Sequence, residues 1–202
     1  MMPPAPVSDH SQAPTGLPAW FSDWFHSKGW APHRHQMEMI AAARAGRSSL
    51  LIAPTGGGKT LGGFLGGLIE LAEAPARGLH TLYISPLKAL AVDVHRNLLE
   101  PIADMGLETT AETRTGDTPQ SKRQRQRKSP PNILLTTPES LALLLSYGDA
   151  ARIFRNLRCV VIDELHALAP NKRGELLALG LARLSSLAPN ARRVGLSATV
   201  AY

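Results

Sequence analysis

The chain of 202 residues has a single cysteine, Cys159, which excludes an intramolecular disulfide framework and fits a reducing compartment. Its seven histidines are scattered, with no Cys/His cluster at metal-ligand spacing, so a zinc site is not expected. Long apolar runs are also missing. The richest stretch, Leu61 to Ile69, stops at Glu70. It carries Gly62/Gly66 and Gly63/Gly67 at the spacing of membrane-helix dimers, yet it is far too short to cross a bilayer. Charged residues make up only 19% of the chain and hydrophobic ones 44%, which provides for a substantial core and argues against global disorder. Residues 1–18 hold five prolines among small and polar residues and no apolar core for a signal peptide, so they are expected to form a disordered leader. Residues 19–202 are then expected to form one large domain.

The net charge of +6 is concentrated: Lys122, Arg123, Arg125, Arg127 and Lys128 carry five of those charges. Such a run is either a solvated helix face or a phosphate-attracting arm, and charge alone does not choose between them.

Apolar strand-like runs recur at Leu50–Ile52, Thr81–Ser85, Asn132–Thr136, Cys159–Asp163 and Arg193–Ser197, with a weaker one near Glu108–Thr113. Helix-like segments separate them, at Lys88–Asp104, Pro119–Lys128, Pro138–Ser146 and Lys172–Leu187. Before them, Trp20, Trp24 and Phe25 form a helical apolar stripe read as core, and a helix from Arg34 to Ala45 is closed by Gly46. Near-continuous apolar strands alternating with helices predict an α/β fold with a mainly parallel sheet covered on both faces. Ligands of such a sheet gather beyond the carboxyl ends of its strands. The four glycines of the helix after Leu61 imply close packing onto the sheet, since each disfavours the helix by about 1 kcal/mol relative to alanine.

The chemistry sits at those strand ends. Ala53-Pro54-Thr55-Gly56-Gly57-Gly58-Lys59-Thr60 lies between strand and helix, the layout of a phosphate-binding loop, although Ala53 stands where the general pattern has glycine. Backbone N–H groups of the glycines and the helix dipole suit a triphosphate, Lys59 suits β/γ-phosphate, and the Thr60 hydroxyl suits Mg²⁺. Asp163 and Glu164 end an apolar strand with two carboxylates, placed to hold Mg²⁺ and to activate the attacking water, respectively. Ser197-Ala198-Thr199 supplies two hydroxyls that could bond the acidic motif. Gln36 has the donor and acceptor for an adenine edge, with Trp30 available to stack. Ser85-Pro86-Leu87-Lys88, Arg114-Thr115-Gly116-Asp117-Thr118, Thr136-Thr137-Pro138-Glu139-Ser140 and the basic helix offer hydroxyls and cations to a phosphate backbone. Thr137-Pro138 is equally an ordinary helix start.

Together these residues resemble the first motor domain of superfamily 2 DExH helicases, a three-layer RecA-like P-loop domain in which alanine commonly opens the phosphate loop. Asp163-Glu164-Leu165-His166 and Ser197-Ala198-Thr199 look like its motifs II and III. Tyr83–Leu90, Arg114–Thr118, Thr136–Ser140 and Lys172-Arg173-Gly174 are similar to the large-helicase-related (Lhr) family. Trp24-Phe25, Gly29-Trp30 and the Arg-Gln-Arg run are similar to its ligase-associated bacterial branch.

The resemblance implies an ATP- and Mg²⁺-dependent DNA helicase, moving 3′ to 5′ and connected with DNA repair in the bacterial cytoplasm. Its partners would be single-stranded DNA and repair proteins such as a ligase or nuclease. Thr55 to Thr60 and Gln36 would bind nucleotide, with Asp163 on the metal and Glu164 as base. His166, Ser197 and Thr199 would couple hydrolysis to motion, while Lys88, Arg114, Thr115 and Thr137 would line the nucleic-acid track. Two departures are Gly57, where serine or alanine is frequent, and Gly66-Gly67, where a proline-containing pair is usual. The second motor domain is expected to lie outside this sequence. An arginine finger from such a domain is worth about 10³–10⁵ in rate, so the segment alone is expected to bind ATP weakly and not to unwind a duplex. The alternatives are a nucleotide-dependent binding module and an RNA helicase.

Overall fold

The computed structural model describes residues 17–54, 56, 58–86 and 95–198. Six strands form one sheet: β1 (Ser49–Ile52), β2 (Thr81–Ile84), β3 (Ala111–Arg114), β4 (Ile133–Thr136), β5 (Cys159–Ile162) and β6 (Arg192–Ser197). Their order is β1-β6-β5-β2-β4-β3, and every pairing is parallel. The helices are α1 (Ala19–Ser27), α2 (Arg34–Arg44), α3 (Lys59–Glu73), α4 (Glu100–Asp104), α5 (Gln120–Lys128), α6 (Pro138–Ser146), α7 (Ala150–Phe154), α8 (Leu165–Leu168) and α9 (Lys172–Leu187), with a turn of π-helix at His95–Leu99.

The apolar strands divide their side chains between two cores, as a sheet covered on both faces must. Tyr83, Ile133, Leu135 and Val161 pack with Phe21, Phe64 and Leu68 on the side of α1–α3. Leu82, Ile84, Leu134 and Val160 pack with Leu141, Phe154 and Leu177 on the side of α6, α7 and α9. Trp24 and Phe25 are buried as expected. β1 is an edge strand, and Leu50 and Ile52 on its outer face stay 55% and 46% exposed.

The α3 glycines face two neighbours. A Cβ at Gly63 would stand 2.9 Å from Leu196 Cδ1 on the sheet, and one at Gly66 would stand 2.5 Å from Ala43 Cβ on α2. Close packing therefore holds α3 against a second helix as well as the sheet, and the helix penalty of glycine is offset on both sides. The strand expected near Glu108–Thr113 runs from Ala111 to Arg114, and the short helices α7 and α8 had no distinct sequence signal. The expected leader and the start of the helix expected at Lys88–Asp104 fall outside the described residues. No described helix is long and apolar enough to cross a membrane.

Candidate functional site

β1 runs into the glycine loop, and α3 begins at Lys59. Gly56 and Gly58 take positive φ values of 83° and 71°, a region that strains any residue with a Cβ. Gly58 also lacks room, since its Cβ would lie 2.7 Å from Gln36 Nε2. Lys59 is buried and its Nζ donates to Ala53 O at 2.7 Å, closing the loop end to end. Thr55 and Gly57 lie outside the described residues.

Gln36, 2% exposed, clasps this loop to α2. Its Oε1 accepts from His33 N–H at 2.9 Å and its Nε2 donates to Gly58 O at 3.2 Å. Part of the amide chosen for an adenine edge is thus engaged in holding the loop. A cleft of about 420 Å³ opens beside it, lined by Trp30, Gln36, Lys59, Thr60, Asp163 and Glu164 among others. Trp30 stands edge-on to Trp24, ring centroids 5.9 Å apart, and remains 40% exposed.

The acidic side of the cleft is built at the end of β5. Asp163 is buried; its Oδ2 accepts from the Tyr83 hydroxyl and its Oδ1 from Glu164 N–H at 2.8 Å. Glu164 is the one non-glycine residue with positive φ among those described, at φ 50° and ψ 43°. Such a conformation costs on the order of 1–3 kcal/mol and is held only where surroundings enforce it. Glu164 Oε2 lies 3.1 Å from His166 Nε2. On the other side of the ring, Nδ1 is 3.1 Å from Ser197 Oγ and accepts from Ala198 N–H at 3.4 Å. An amide N–H can only donate, so Nδ1 is the acceptor and Nε2 carries the proton directed at Glu164. A carboxylate, an imidazole and the end of β6 form one connected line. Thr199 lies outside the described residues.

Sequence reasoning missed Tyr83. Its signal was a lone phenol in an apolar strand whose register, Tyr83 opposite Val161, puts the hydroxyl near Asp163. Asn97 also lines the cleft from the π-helical turn, an irregularity with no sequence signal and a frequent mark of functional sites.

The residues expected on a nucleic-acid track make contacts within the domain. Arg114, 2% exposed, donates to Arg123 O at 3.0 Å and Gln126 Oε1 at 3.4 Å, and its burial depresses its pKa. Thr115 Oγ1 accepts from Asp117 N–H at 3.3 Å. Thr137 caps α6, its Oγ1 accepting from Ser140 N–H at 3.4 Å. Lys88 lies outside the described residues.

The basic helix α5 is largely engaged with its own domain. Arg125 grips both Glu112 oxygens at 2.8 Å, Arg127 reaches Asp149 at 2.8 Å above the Tyr147 ring, and Arg123 donates to Thr115 O and Gly116 O. These arginines hold the Glu112 and Asp149 carboxyls below their ordinary pKa range. Three of the five cations in the run are therefore bound inward, more than a solvated face or a free arm requires.

Comparison with known proteins agrees with this architecture. The family described as DEAD/DEAH box helicase matches residues 33–202. The chain is 44% identical over 192 residues to the Lhr helicase/probable uracil glycosylase of Mycolicibacterium smegmatis, covering 88% of this chain and 13% of that protein. It is 41% identical over 198 residues to the ATP-dependent helicase Lhr-Core of Methanothermobacter thermautotrophicus, covering 91% of this chain and 23% of the relative. A solved structure of Mycobacterium smegmatis helicase Lhr bound to ssDNA and AMP-PNP superposes with a TM-score of 0.83 at 43% identity, covering 91% of this chain and 25% of that one. The chain thus spans a quarter or less of the length of these proteins.

Proposed function

Because this chain belongs to the DEAD/DEAH box helicase family, we propose that it is the ATP-binding half of an ATP-dependent DNA helicase of the Lhr type, translocating 3′ to 5′ in DNA repair. The observation that carries this reading is the cleft that brings Lys59 and Thr60 together with Asp163 and Glu164, wired through His166 to the end of β6. Its similarity to a helicase solved with ssDNA and AMP-PNP supports single-stranded DNA as the partner.

The donor set fits a magnesium ion. Thr60 offers a hydroxyl and Asp163 a buried carboxylate, both hard oxygens, in one cleft. When bound, the ion neutralises charge on the transferring phosphoryl group. The glycine-loop amides and Lys59 hold the phosphates, and Glu164 orients and deprotonates the attacking water. His166 then reads the state of Glu164 at one nitrogen and the end of β6 at the other.

The test is ATP hydrolysis, with and without single-stranded DNA or RNA, by this domain paired with a second motor domain that supplies the arginine finger. Stimulation by DNA above RNA is expected. Stronger stimulation by RNA would support an RNA helicase, and binding without hydrolysis would support a nucleotide-dependent binding module.

Tyr83→Phe is expected to raise the magnesium concentration for half-maximal hydrolysis by about tenfold, with nucleotide-independent folding intact, because groups bonded to a metal's carboxylate ligand typically tune affinity by about 10–100-fold. A magnesium titration of hydrolysis checks this. An unchanged midpoint would leave the Tyr83 hydroxyl with a packing role only.

A further inference from the structure

Arg173 is absorbed by none of the roles above, yet its guanidinium meets two strand-end loops at once. Nε and Nη2 donate to Glu139 Oε1 and Oε2 at 2.5 and 3.0 Å, and Nη1 donates to Pro86 O at 2.8 Å. Pro86 follows β2. Glu139 lies in the first turn of α6, the helix capped by Thr137 after β4. Both loops belong to the segments assigned above to the nucleic-acid track.

The backbone of Arg173 is fixed from the opposite direction. Its N–H donates to Asn171 Oδ1 at 2.9 Å, and Asn171 Nδ2 donates to Ala167 O at 2.6 Å. The next residue, Gly174, sits so close to α8 that a Cβ would stand 2.2 Å from Leu168 O. α8 is the short helix that follows Glu164 at its N-cap, carries His166 and is closed by Ala167 N–H donating to Glu164 O at 2.8 Å. A continuous set of contacts therefore runs from the cleft carboxylate through α8 and the α8–α9 corner to the two loops.

We propose that Arg173 is a positioning residue that couples the nucleotide cleft to the nucleic-acid track, tying the corner behind Glu164 and His166 to the loops after β2 and β4. The proposal rests on the helicase reading above. Stability is a poor explanation for the pair, since its side chains are 38% and 50% exposed and ion pairs of that kind contribute little. Geometry is a better one. The planar guanidinium grips a carboxylate through two parallel bonds and still reaches a carbonyl, which a lysine ammonium cannot reproduce. The arginine holds the Glu139 carboxyl at a pKa of about 2, so the tie is fully charged at neutral pH. When hydrolysis shifts Glu164 or His166, the corner moves and the arginine draws both loops with it.

The test measures the affinity of the 202-residue chain for a labelled oligothymidylate, with and without AMP-PNP and magnesium. The wild-type chain is expected to bind DNA more tightly with nucleotide. Arg173→Gln, Arg173→Lys and the near-isosteric Glu139→Gln are each expected to reduce that ratio by about five- to tenfold, the range of ordinary site–site coupling. Affinity for nucleotide alone should stay within about twofold, and the Arg173→Gln/Glu139→Gln double variant should lose no more than either single one. A merely structural role would weaken DNA binding equally with and without nucleotide and leave the ratio intact. That result, additive losses, or a wild-type affinity that ignores nucleotide would overturn the coupling. Failure of the wild-type chain to bind DNA at all would overturn the coupling, while the helicase reading stands or falls separately on the hydrolysis test above.

Discussion

Glu164→Gln is expected to lower ATP turnover, measured with a second motor domain present, by about 10²–10⁴, the usual contribution of a positioned general base. Nucleotide affinity should change by no more than about twofold, because the groups assigned to phosphate binding are elsewhere in the cleft. The substitution is matched in shape. Glutamine presents a carbonyl oxygen where the His166 Nε2 proton is directed, so the line from the cleft to Ser197 and Ala198 is preserved. The left-handed backbone at residue 164 is no worse suited to glutamine than to glutamate. What disappears is a base able to take a proton from water. Phosphate-release kinetics give turnover, and a fluorescent nucleotide gives affinity. Turnover within tenfold of wild type would move the base elsewhere, and a matched collapse of affinity would show that Glu164 serves binding.

The cleft was legible in the sequence because each of its main parts lies at the end of an apolar strand. In an all-parallel sheet those ends share one edge, so Lys59, Asp163 and Ser197 had to come close once the strands were recognised. The line through His166 was legible as a family expectation and has an explicit hydrogen-bonding geometry. Tyr83 was not legible as a partner of Asp163, because they are 80 positions apart and only the β2–β5 register joins them. The same limit applies to α5. Five cations in one run are visible locally, but Glu112 and Asp149, which bind two of them, lie outside the helix. Gln36 shows a third kind of gap: its residue type suited a ligand, and the structure gives its amide a loop to hold as well. Function was easiest to read where chemistry is contiguous in sequence and hardest where a single side chain bridges two elements.

Gly174 is a case where a local rule gives the wrong sign. Inside a helix, replacing glycine by alanine ordinarily gains about 1 kcal/mol, and Gly174 lies in the first turn of α9. Here the added Cβ would stand 2.2 Å from Leu168 O, 3.0 Å from Leu168 C and 3.2 Å from Ala169 O. All three atoms are backbone, so no side chain can rotate away. Relief requires either moving α8, which carries His166, or breaking the cap in which Asn171 Oδ1 accepts from Arg173 and Gly174 N–H at 2.9 and 3.3 Å. Gly174→Ala is therefore expected to destabilise the chain by about 2–3 kcal/mol, as overpacking against a rigid neighbour does, lowering Tm by roughly 4–12 °C. Gly180 provides the control on the same helix. Its Cβ would meet Leu141 Cδ2 and Leu145 Cδ1 at 3.5 Å, ordinary contact distances. Gly180→Ala should accordingly be neutral or stabilising by up to about 1 kcal/mol. Thermal unfolding of the two variants side by side decides the matter: opposite signs follow from the α8–α9 contact, whereas equal shifts would show that the corner yields and that Gly174 is not held against Leu168.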